Sequence, residues 1–74
     1  MTIISHESQE VLVDGIKASS MENLTLSIEH ALLSNDVEPQ RIFFLKVPDV
    51  FKKFLYSKDW YWNGNKLVVY RDDI

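Results

Sequence analysis

Trp60-Tyr61-Trp62-Asn63-Gly64-Asn65-Lys66-Leu67-Val68-Val69-Tyr70 sets two short runs of aromatic and β-branched residues on either side of an Asn-Gly pair. Such side chains favour a pleated, half-buried backbone, and Asn-Gly accepts the positive φ angles that a tight reversal needs. The segment therefore predicts a β-hairpin. With either Asn63-Gly64 or Gly64-Asn65 as the two-residue loop, strand alternation puts Trp60, Trp62, Leu67 and Val69 on one face. Tyr61, Lys66, Val68 and Tyr70 fall on the other. A three-residue loop would break this sorting. The first face is wholly apolar and reads as core.

Upstream, Asp49-Val50-Phe51-Lys52-Lys53-Phe54-Leu55-Tyr56 has the spacing of a two-turn helix started by Pro48 or Asp49. Val50, Phe51, Phe54 and Leu55 are expected to face inward, with Lys52, Lys53 and Tyr56 outward. Before it, Arg41-Ile42-Phe43-Phe44-Leu45-Lys46-Val47 lies between Pro39 and Pro48 without alternation. It is too short for a typical helix and reads as a central strand covered on both faces.

Further towards the N-terminus, Ser19-Ser20-Met21-Glu22 matches a capping box, with Ser19 as N-cap of a helix ending near Ser34 or Asn35. Met21, Leu24, Ile28, Ala31 and Leu32 form its buried stripe. The opening segment contains Asp14-Gly15 between β-formers, which predicts a hairpin with Val13 opposite Ile16 and Val11 opposite Ala18. The alternative is one long strand with a bulge at Gly15, paired with Ile3-Ile4. The resulting order is β-β-α-β-α-β-β. It predicts a small two-layer α+β domain over residues 1–74, an antiparallel or mixed sheet with two helices packed on it.

Seventy-four residues hold one domain. The absence of cysteine excludes disulfides, thiolate zinc sites and cysteine nucleophiles. A cytoplasmic protein is expected, because the N-terminus lacks a basic start followed by an apolar stretch and no run reaches the ~20 apolar residues of a membrane span. The net charge of −3 conceals an asymmetry. The first 38 residues carry seven acids against Lys17, a net of −6, whereas the remainder carries seven bases against four acids, a net of +3. All nine aromatics lie in that second part, from Phe43 to Tyr70.

Catalytic and metal-binding patterns are lacking. His6 and His30 have no second ligand at metal-binding spacing, no glycine-flanked serine nucleophile occurs, and no glycine-rich loop is present to cradle phosphate. No cofactor, metal or catalytic residue is therefore assigned. Two surfaces remain. Leu26, His30 and Leu33 project roughly opposite the buried stripe of the long helix, an apolar ridge that either contacts a protein or is covered by the N-terminus or the second helix. Lys52, Lys53, Tyr56, Tyr61, Lys66 and Tyr70 mix bases with aromatics within residues 46–71, as single-stranded nucleic-acid binders do. The pI of 5.2 argues against the latter reading. The sequence thus favours a non-enzymatic protein-interaction module, a small regulator, inhibitor or adaptor. Its partner is another protein or its own copy, with a dimer the expected form. A nucleic-acid-binding module is the alternative, and a small hydrolase with a dispersed site ranks last.

Overall fold

The computed structural model describes residues 1–72. Five strands and two helices follow in the order β1 (Thr2–Ser5), β2 (Val11–Val13), α1 (Met21–Ser34), β3 (Gln40–Leu45), α2 (Asp49–Tyr56), β4 (Lys58–Trp62) and β5 (Leu67–Asp72). The strands form one antiparallel sheet in the order β2-β1-β3-β4-β5. Both helices pack on the same face, which yields the expected two-layer α+β domain. The long helix joins β2 to β3 across β1, while α2 sits in the connection between neighbouring β3 and β4.

The β4–β5 hairpin turns through Gly64-Asn65, with the Asn63 N–H donating to the Lys66 carbonyl at 3.2 Å. Asn63 Oδ1 accepts the Asn65 and Lys66 N–H groups at 2.8 and 2.6 Å, so one side chain satisfies the tip. Gly64 is required there: its φ is +94°, and a Cβ would meet Pro39 Cγ at 3.3 Å. Trp60, Trp62 and Leu67 enter the core as the alternation predicts. Val69 does not. It pairs with Trp60 in the expected register, the shift falling beyond it between Asp59 and Trp60, but on the edge strand β5 it is left 43% exposed.

The first hairpin is a correction. Val13 pairs with Ile3 and Val11 with Ile4, so β2 turns back on β1 and ends before Gly15. Where the turn was expected, the Asp14 carboxylate instead accepts the Thr2 hydroxyl at 2.6 Å and the Gly15 N–H at 2.8 Å, tying the end of β2 to β1. The chain then runs beside the N-terminus: the Ile16 N–H donates to the Met1 carbonyl, and the Met1 amino group donates to the Ile16 carbonyl. The alternative pairing with Ile3-Ile4 has the right partner but too long a strand.

Helix α1 starts one residue later than expected. Ser20 is the N-cap, with extended backbone at φ −159°, and its N–H donates to Asn23 Oδ1 at 3.2 Å. Asn23 Nδ2 in turn donates to Ser19 Oγ at 2.7 Å, so Asn23, not Glu22, closes the box. Leu24, Ile28 and Leu32 are fully buried and Ala31 packs against the core, whereas Met21 in the first turn is exposed. In α2, Phe51 and Leu55 are buried and Phe54 half-buried, while Val50, expected inside, is 68% exposed. Two turns of helix present too narrow a stripe to bury four successive apolar positions.

Candidate functional site

The strand β3 was expected to be covered on both faces, and it is not. Ile42 and Phe44 are buried under the helices, but Phe43 is 44% and Leu45 39% exposed on the outer face. The helices occupy one side, and among the described residues no further helix or strand lies over the other. Pairing continues the outer face sideways through Arg41 to Tyr61 and from Tyr61 to Val68, while Phe43 and Leu45 pair with Ile4 and Thr2.

Residues on this face make their own contacts. Phe43 stacks on Tyr56 with ring centroids 5.8 Å apart, and the Tyr56 hydroxyl donates to the Phe44 carbonyl at 3.1 Å, so the last turn of α2 reaches the sheet end. The Arg41 guanidinium lies 4.5 Å from the centroid of Tyr70, whose ring is 6.5 Å from Tyr61. Arg41 Nη2 lies 3.7 Å from Asp59 Oδ2. Val68 and Tyr70 are exposed. Among the described side chains the result is an apolar, aromatic surface in which the Arg41 guanidinium and the Asp59 carboxylate are set.

The six residues proposed for nucleic acid do not share one surface. Tyr56, Tyr61 and Tyr70 belong to the outer sheet face and its lower rim. Lys52 and Lys53 lie on α2, where the Lys52 ammonium contacts Asp49 at 3.0 Å and has its pKa raised by that hydrogen bond and charge. Lys66 lies in the β4–β5 turn, and because β4 runs from α2 to that turn, it is at the opposite end of the sheet. Backbone topology separates bases that sequence proximity had grouped.

Leu26, His30 and Leu33 are all exposed on α1, Leu26 by 68% and Leu33 by 48%, so neither the N-terminus nor α2 covers the ridge. They do not line one depression. Leu26 and His30 flank a shallow groove of about 500 Å³ with Ile16 and Lys17, whereas Leu33 borders another of about 300 Å³ with Val37, Pro39 and Trp62. His6 lies at the upper end of β1, its N–H donating to the Arg41 carbonyl at 3.0 Å. Among the described residues no group of three or more His, Asp or Glu side chains is placed to hold a metal ion. Nor is any helix long and apolar enough to cross a membrane.

The outer face was missed because a strand lacking alternation can be buried on two sides or can present an apolar side to a partner, and periodicity does not separate these. The usable signal was the count of elements: two helices cover one side of a five-stranded sheet and leave none for the other. Comparison with known protein families, with curated proteins and with solved structures gives no match.

Proposed function

We propose that this chain is a protein-interaction module, without catalysis of its own, whose contact surface is the outer face of the sheet. The observation that carries the reading is that Phe43, Leu45, Tyr56, Val68 and Tyr70 are exposed together around Arg41 on a face with no helix layer. Exposed apolar patches of this kind are disfavoured in water. Phe, Tyr and Arg are also the residue types that interface cores collect. The α1 ridge of Leu26 and Leu33 is a second, narrower apolar surface and ranks behind it. The separation of Lys66 from Lys52 and Lys53 counts against the nucleic-acid reading.

The test compares the wild type with a Phe43→Ser, Val68→Ser double variant whose fold is verified by circular dichroism. Capture from the native host, or self-association in sedimentation equilibrium, is expected for the wild type and is lost in the variant. Binding that survives in this variant but disappears with Leu26→Ser and Leu33→Ser moves the interface to the helix. Salt-sensitive oligonucleotide binding in place of protein binding overturns the reading.

A further inference from the structure

At the upper end of the outer face, where β1 passes into its loop and β3 begins, Ser5, His6, Gln40, Arg41, Tyr61 and Tyr70 are among the residues lining a pocket of about 400 Å³. Its chemistry is dominated by Arg41. The guanidinium lies over the Tyr70 ring, 4.5 Å from its centroid. The Nε–H is buried without an acceptor, and Nη2 makes an ion pair with Asp59 at 3.7 Å, a separation too long for a hydrogen bond. A guanidinium offers five N–H groups in a planar fork that a carboxylate matches with two parallel bonds.

We propose that this pocket is a carboxylate-binding site, with Arg41 as the fork and Tyr61 and Tyr70 as its aromatic walls. Asp59 beside the guanidinium and Glu7 on the pocket rim limit the charge that it can take. A singly charged carboxylate keeps the fork geometry at the least repulsion, whereas a phosphate dianion would bring a second charge up against Glu7 on the rim. The inference stands apart from the protein-contact reading of the sheet face, because a free acid, a C-terminal carboxylate and a Glu side chain share this chemistry.

Titration of the ¹⁵N-labelled chain with three peptides tests it: acetyl-Gly-Glu-Gly-amide, acetyl-Gly-Gln-Gly-amide, and acetyl-Gly-Gln-Gly with a free C-terminus. Saturable shifts of the Arg41 side-chain N–H and of the Gln40 and His6 amides are expected with the first or third peptide and not with the second. The first marks side-chain carboxylates and the third terminal ones. Arg41→Lys, which retains the charge but not the fork, should weaken binding at least ten-fold. Phe43→Ser with Val68→Ser should leave peptide binding unchanged, so failure of the sheet-face reading is separable from failure of this one. Equal shifts with the Gln amide peptide, shifts retained in Arg41→Lys, or none up to tens of millimolar peptide overturn the site.

Discussion

The two faces of the sheet are made by the same strands, often by adjacent residues, and they meet opposite fates. Ile42, Phe44, Trp60 and Trp62 lie under α1 and α2 and are at most 5% exposed, while Phe43, Leu45, Val68 and Tyr70 are between 38% and 57% exposed. Hydrophobicity does not separate the two sets. What separates them is the number of elements: the β2–β3 and β3–β4 connections place both helices on one side. Burial in a domain this small is decided by topology, and an apolar residue on the uncovered side stays exposed.

The sharpest way to break that contrast is to compare neighbours in β4. Trp62 is fully buried and its indole N–H donates to the Val37 carbonyl at 2.8 Å, so Trp62→Ala removes a large side chain and orphans an acceptor. A loss of about 3–5 kcal/mol is expected. Tyr61→Ala on the outer face loses ring contact with Tyr70 and should cost about 1 kcal/mol. Urea denaturation of both variants measures the gap, and comparable losses would mean that the outer face is also a structural core. Wild-type tryptophan emission should be blue-shifted, since Trp60 is 5% and Trp62 0% exposed.

A smaller effect is expected at the start of α1, the element that covers the inner face. Ser20→Ala and Asn23→Ala each disturb the cap and should destabilise the fold by about 0.5–2 kcal/mol, with Ser19→Ala costing less. The outer-face Arg41–Tyr70 contact involves neither residue, so its resonances should keep their positions. If Ser19→Ala proved the most damaging of the three, the helix would begin one residue earlier.

How much of this was legible can be traced residue by residue. The element order, the Asn-Gly hairpin and the inward Trp60 and Trp62 follow from local chemistry, because turn residues and alternation act within a few positions. The Asp14-Gly15 hairpin did not materialise because a competing partner, β1, lay outside the local window, and the Asp14 side chain went to Thr2. The Ser19 cap failed through a one-residue ambiguity between two serines, resolved by Asn23. The candidate surfaces fared differently again. Helical geometry sets Leu26 and Leu33 off the buried stripe but not whether another segment covers them, the open side of β3 depends on where two helices pack, and the gathering of Arg41, Tyr61 and Tyr70 depends on pairing of distant strands.

The α1 ridge offers a test with a near-zero expected effect on the fold. Leu26 and Leu33 are exposed, so Leu26→Ser with Leu33→Ser should change stability by no more than about 0.5 kcal/mol for each site. Circular dichroism melts of wild type and double variant measure this. A collapse of the fold would show that the ridge is packed, and the contrast between covered and open surfaces would then have to be redrawn around α1.

The smallest effect concerns the one corner where the outer face is closed. Thr2 and Ile4 alternate with Ile3 and so belong to the outer side, yet they are only 5% and 3% exposed. At Thr2 a polar clamp accompanies this burial, its hydroxyl donating to Asp14 Oδ1 at 2.6 Å, with the Gly15 N–H donating to the same oxygen. These bonds favour the ionised carboxylate and hold the Asp14 pKa below its ordinary value, the Thr2 hydroxyl contributing most and the Gly15 N–H next. A pKa depressed by folding means that the native state holds the carboxylate charged where the unfolded chain has begun to bind a proton. The contribution is therefore fully present above the ordinary aspartate range and is lost as pH falls through it towards the lower native value. Asp14 is fully exposed, so the effect on stability is small and screened by salt. Asp14→Asn should flatten the fall in melting temperature on acidification below about pH 4, the ordinary aspartate range, and should increase hydrogen exchange at Gly15. An unchanged acid slope together with unchanged exchange would show that the clamp does not hold this corner, and that apolar packing around Ile4 alone closes it.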